Sequence, residues 1–198
     1  MSTSTLRETV LRAAVDHIAA HGPDSLSFRQ VAAAAGVSHQ APYHHFTDRS
    51  GIFRAIAAEG FGLFTQALRA AEAQSDGDPT VGMLEAYVDF ALAHRGYFRV
   101  MFRSDLNCLA EAPEVQQVAD ESFDVLLDHV HDLLGEGASI DEIRVRATAM
   151  WALAHGLATL LIDGPLEPKI GPIADRGALV RAVAEQTGLG GRRPRAKR

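Results

Sequence analysis

The chain has one cysteine, Cys108, in 198 residues, which excludes an internal disulfide and fits a reducing compartment. It contains no uninterrupted apolar run of about eighteen residues, the minimum for crossing a bilayer. The opening MSTSTLRETV has no basic stretch leading into an apolar one, so a secretory leader is not expected. Together these absences point to a soluble cytoplasmic protein. Signatures of catalysis are missing as well: there is no G-x-S-x-G, no phosphate-binding loop and no dinucleotide fingerprint. No Glu-x-x-His occurs, which removes the di-iron bundle pattern. Neither an enzyme nor a bound cofactor is expected. Internal repeats and low-complexity linkers are absent too.

What remains is a chain that is 47% hydrophobic with a net charge of −6, long enough to bury a core, and helical in its periodicity almost throughout. Leu6, Val10, Ala14 and Ile18 recur at four-residue spacing, predicting a first helix over 5–21 that stops near His21-Gly22-Pro23. Ser27 with Gln30 three residues on reads as a capped start, followed by Val31 to Ala35 and a turn at Gly36. Ser38 reads as a second N-cap. Cap, short helix, glycine turn, cap and short helix make a helix-turn-helix, with Ala32 small enough to let the helices cross closely.

The second of these helices carries VSHQAPYHHF at 37–46. With Ser38 as N-cap, Pro42 is the fourth helical residue and forfeits one backbone hydrogen bond. His44 and His45 are about 100° apart around a helix, so they do not form a chelating pair. The expectation is His44 outward and His45 inward. The remaining histidines give no better metal site. His17 and His21 share a face near a helix C-terminus, where partial positive charge is favoured anyway, and His129 and His131 point to different faces. Residues 1–50 have four arginines against four acidic residues, so nucleic-acid binding would rest on a few placed side chains and on doubling by a dimer.

The stretch SFRQVAAAAGVSHQAPYHHFTDRSGI, residues 27–52, resembles the DNA-binding signature of the TetR family of bacterial transcriptional regulators. It has the serine-capped first helix, the Gly-Val-Ser turn, the Tyr-x-x-Phe ending and a basic residue three positions later. The departure is Pro42, where the family more often has Leu or Ile. The resemblance implies that His39, Gln40, Ala41 and His44 face base edges or backbone, and that Ser27, Arg29, Ser38, Tyr43 and Arg49 hold phosphates of double-stranded operator DNA. It further implies an all-α fold with a three-helix DNA-binding domain at 1–50 and a helical domain at 51–190.

Beyond residue 50 the spacing predicts helices over 50–74, 80–94, 97–102, 113–134, 139–163 and 174–187. Trp151, His155 and Gly156 together with YVDFALAHRGYFRVMF at 87–102 are similar to the Trp-His-Gly type of C-terminal domain found in one group of these regulators. Gly156 is expected to let another helix approach. Phe61, Phe64, Tyr87, Phe90, His94, Tyr97, Met101, Phe102, Trp151 and His155 are candidates to line a space for an apolar small-molecule effector. A homodimer is expected through 139–163 and 174–187, with Ala147, Met150, Ala154, Leu157 and Leu161 as one seam and Leu179 and Val183 as another. The segment GRRPRAKR at 191–198 holds five basic residues and reads as a solubilising end or a phosphate-binding arm. The function expected is repression relieved by an effector, the alternative a constitutive DNA-binding dimer.

Overall fold

The computed structural model describes residues 5–74, 78–107 and 111–189. Cys108 and the basic segment 191–198 lie outside them. The described residues form α-helices and no strand. They divide into two compact units, one built from the chain through Leu63 plus His94–Asp120, the other from Phe64–Ala93 plus the chain from Glu121 onward. This differs from an expected break near residue 50, because a distant segment completes the first unit.

In the first unit, α1 (Leu6–His21) starts at Thr5, whose hydroxyl accepts the Glu8 N–H while the Glu8 carboxylate accepts the Thr5 N–H. A 3-10 turn at Pro23–Ser25 leads to α2 (Phe28–Ala35), then α3 (Ala41–His45) and the start of α4 (Arg49–Gln74). Val10, Ile18, Val31, Phe46, Ile52 and Ile56 bury their side chains together. α6 (Arg95–Met101) lies against α1 so closely that a Cβ on Gly96 would stand 2.3 Å from the Val15 carbonyl oxygen. Arg99 Nη1 donates to the carbonyls of Ile18 and Ala19 at 3.2 and 3.1 Å, tying α6 to the last turn of α1. A short α7 (Ser104–Asn107) occupies what reads as loop in the sequence. It forms because the buried Asn107 amide donates to the Val100 and Met101 carbonyls at 2.9 and 3.0 Å, ending α6 and folding the chain back.

The second unit contains the remainder of α4, then α5 (Pro79–Ala93), the part of α8 (Pro113–Leu134) from Glu121 onward, α9 (Ile140–Ile162), the short α10 (Glu167–Ile170) and α11 (Arg176–Thr187). α5 packs on α9 and α11. Ser139 caps α9 reciprocally with Glu142, and Gly135, at φ +82°, makes the preceding turn in a conformation that favours glycine. α9 is long and apolar enough to cross a membrane by length and composition alone. In this fold its Ile143, Ala147, Met150 and Ala154 face the unit's own core.

Candidate nucleic-acid interface and interior polar cluster

Ser27 caps α2 as its type and place require: its hydroxyl accepts the Gln30 N–H and donates to Gln30 Oε1 at 2.6 Å. Gly36, at φ +67°, closes the helix by giving its N–H to the carbonyls of Ala32 and Ala33. The next helix begins later than Ser38. Proline has no N–H to return to the Ser38 carbonyl, which instead takes the Ala41 N–H at 2.9 Å in a tight turn. Gln40 becomes the cap residue and Pro42 falls within the first two helical positions, where an N–H would have no partner in any case. Pro42 therefore costs no hydrogen bond, contrary to the sequence-based expectation.

This start sets which side chains point outward. Arg29, Ser38, His39, Gln40, Tyr43 and His44 are exposed, as is Ser27. Ala41, only 5% exposed, packs inward and is corrected from a base-facing position to a core one. His45, expected inward, is also exposed; Ala41, Pro42 and Phe46 supply the buried face instead. Tyr43 is 51% exposed and rests edge-on against Phe28, with ring centroids 4.4 Å apart, so its hydroxyl end is held outward on a fixed base. Arg49 already has structural partners. Its Nη2 donates to the Pro23 carbonyl at 2.6 Å and its guanidinium lies 5.1 Å from the Phe53 ring centroid. Asp48, unremarked in the sequence, caps α4 by accepting the Gly51 N–H at 2.7 Å.

The ten candidate effector residues fall into two groups of five, one in each unit. In the first unit Phe61 meets Phe102 edge-on at 5.5 Å, His94 stands 6.1 Å from Tyr97, and Met101 is buried. Burial, helped by Glu59, pushes the Tyr97 hydroxyl up to about 12. In the second unit Phe64 meets Tyr87 at 4.9 Å and Phe90 at 5.1 Å. The Trp151 indole donates to Tyr87 Oη at 3.3 Å, and Tyr87 Oη lies 2.8 Å from His155 Nδ1. The tyrosine oxygen thus joins the indole of one helix position to the imidazole of another. Burial lowers the His155 pKa and raises that of Tyr87, so both stay neutral near pH 7. Sequence reasoning paired Trp151 with His155; the residue joining them, Tyr87, lies on another helix.

A second polar group was not foreseen. Buried His129 brings Nε2 to 3.1 Å from Thr80 Oγ1 and Nδ1 to 3.6 Å from Glu72 Oε1, joining three helices, while His131 is exposed. Among the described residues no three metal-ligating side chains cluster.

The expected dimer seam is also corrected. Ala147, Met150 and Ala154 are buried within the chain and Leu157 is only 9% exposed. Leu161, Leu179 and Val183 are half-buried. The outer face of α9 instead shows Val145, Ala149, Ala152, Gly156 and Leu160, with Val145 71% exposed. α9 is apolar around most of its circumference, so periodicity gives no phase from which to choose the inner side. Among the described residues no other helix comes within 4 Å of a Cβ built on Gly156.

Residues 10–56 match the family described as bacterial regulatory proteins, tetR family, and residues 80–186 match the tetracyclin repressor-like C-terminal domain. The latter match does not single out the Trp-His-Gly group. Among solved structures the chain is similar to a protein of unknown function from Rhodococcus sp. RHA1, at 30% identity over 96% of this chain and 97% of that one, with a TM-score of 0.76. It also shares its fold with the fatty acid degradation regulator FadR from Bacillus halodurans, at 19% identity, coverage of 98% and 100%, and a TM-score of 0.71. A further likeness is to PfmR from Thermus thermophilus, a TetR family transcriptional regulator, at 17% identity, coverage of 93% and 99%, and a TM-score of 0.69. No curated protein matches the sequence.

Proposed function

The chain belongs to the TetR family of bacterial transcriptional regulators, and from that premise we propose that it is a cytoplasmic homodimeric repressor that binds a palindromic operator and is released by a small molecule. The observation that carries the DNA contact is the outward set His39, Gln40, Tyr43 and His44 on and just before a short helix whose opposite face, Ala41 and Pro42, is buried. A short helix fixed on one side and polar on the other suits entry into a major groove, where Gln40 can address a base edge and hydroxyl groups can meet phosphate. Ser27, Ser38 and Arg29 stand beside it as phosphate partners. Arg49 acts mainly by holding the turn at Pro23, since its guanidinium is already engaged.

The outer face of α9 supports pairing with a second copy. A glycine in a helix interior costs about 1 kcal/mol relative to alanine, and among the described residues Gly156 has no close neighbour to account for it. With Ala149 and Ala152 it gives a flat surface on which a symmetry-related helix can lie closely. α11, whose Ala178 and Ala182 are exposed, extends the same type of surface.

Phe64, Tyr87, Phe90, Trp151 and His155 support an effector site in the second unit: apolar rings surround one fixed polar chain, the composition small-molecule sites favour. A constitutive dimer is the second reading, favoured by the partners Tyr87 already has in Trp151 and His155. Selection of bound duplexes from a random pool, repeated with a metabolite library, tests both. The expected product is an inverted repeat with half-site centres about one turn of DNA or a multiple apart. An effector should weaken binding by about 5- to 150-fold, and operator should weaken effector binding by the same factor. A pool from which nothing is enriched contradicts the repressor, and operator affinity indifferent to every compound favours the constitutive dimer.

A further inference from the structure

Between Arg29 and Asp48 the sequence has no Asp, Glu, Lys or Arg. The ionisable groups there are His39, Tyr43, His44 and His45, and all four are exposed. The stretch between them thus carries no permanently charged side chain, and its imidazole nitrogens are concentrated on and just before one short helix. We propose that operator binding is proton-coupled: His39, His44 and His45 supply the positive charge this surface presents to phosphate, and affinity rises as pH falls through the imidazole range. The proposal rests on the reading of α3 as the DNA-contacting helix.

The neighbouring permanent charges are few. α3 packs on α1 and α2. From α1, Arg7 lies over the Phe46 ring with its guanidinium carbon 5.3 Å from the centroid, and Glu8 is taken by the α1 cap. α2 contributes Arg29. At the start of α4, Asp48 accepts the Gly51 N–H and stands 3.9 Å from Arg54, and Arg49 is tied to Pro23. Asp24 lies in the 3-10 turn. A carboxylate free to hold the three imidazoles protonated before DNA arrives is therefore not supplied by the α4 cap.

Duplex DNA bears one negative charge for about every 1.7 Å of its axis. An imidazole brought within a few ångströms of phosphate is favoured in its charged form, so docking of this surface on DNA favours proton uptake. In a dimer the surface appears twice, giving six imidazoles. The neutral form can make a hydrogen bond; the charged form adds counterion release, which steepens the salt dependence. A regulator of this kind reads the same operator more tightly in a mildly acidic cytoplasm than in an alkaline one.

The test uses the full-length protein and the duplex enriched from a random pool at pH 6.0. Fluorescence anisotropy at fixed salt should give a Kd at least about tenfold lower at pH 6.0 than at pH 8.0, because histidine charge changes within that span. Combined His39→Gln, His44→Gln and His45→Gln should flatten the difference to about twofold, while His131→Gln should leave it intact. Melting temperatures of the variants establish that the fold is retained. Titration calorimetry of the wild type in two buffers of unlike ionisation enthalpy should show net proton uptake on binding, whatever the variants do. A selected duplex bound equally at both pH values, or a triple variant that keeps the full pH difference, overturns the proton coupling and leaves the DNA reading standing. A pool that yields no duplex at either pH overturns the DNA reading and the coupling with it.

Discussion

The two units distribute their polar groups in opposite ways. In the first, an apolar base formed by Val10, Ile18, Val31 and Phe46 carries polar side chains turned outward along one short helix. In the second, the notable polar groups are buried His129 against Thr80, and buried Tyr87, which reaches out to half-buried His155 and exposed Trp151. A duplex is large and stays outside the protein, so what meets it must project from a backbone that does not move. A small ligand is enclosed, so what meets it must be held within a core and satisfied when the ligand is absent. Rigidity is placed behind the polar groups in one unit and around them in the other.

The largest effect should come from the face proposed to join two copies. Ala152→Glu places a charge on the exposed side of α9 without touching the core, so the fold should persist while sedimentation shows monomers. Operator affinity should fall by about 100-fold or more, since specific binding depends on two half-sites acting together. A dimer that survives this substitution would separate the outer face of α9 from the assembly.

Next is the base of the first unit. Gly96→Ala sets a methyl against the Val15 carbonyl, and overpacking of this kind costs about 1–3 kcal/mol. For a chain of this size each kcal/mol is worth about 2–4 °C in melting temperature. A thermal melt unchanged by Gly96→Ala would mean that α6 does not support α1 through this approach. The smallest effect concerns the interior of the second unit. Burial lowers the His129 pKa, with Glu72 partly opposing it, so the stability linked to neutral His129 is present above the unfolded value of about 6.5. That stability is lost as pH falls through the lowered folded-state pKa. Urea midpoints at pH 8 and pH 5.5 should therefore differ less in His129→Gln than in the wild type; an equal difference would remove His129 as the source.

The same contrast explains what could be read from the chain alone. The helix-turn-helix is a local object: Ser27, Gly36 and the spacing of Val31 and Phe46 lie within twenty residues, and cap and turn chemistry specify them directly. Pro42 misled at one point, because its missing N–H moved the helix start beyond Ser38 and so reversed the expected burial of Ala41 and His45. The second unit joins residues far apart in sequence. Tyr87 with Trp151, and Glu72 with Thr80 and His129, have no local signature, and α9 is apolar on too many sides for its inner face to be chosen by period. Gly96 stood in view between two helices, but only the position of α1 explains why it must be glycine.

The central claim, that the outward face of α3 reads base edges from a fixed base, is tested most directly by repeating the random-duplex selection with Gln40→Ala. Gln40 is exposed at the cap of α3, so the account predicts the same inverted repeat with relaxed preference at one or two symmetry-related positions, each worth about 1–3 kcal/mol of discrimination. An enriched sequence identical to that of the wild type at every position would contradict it.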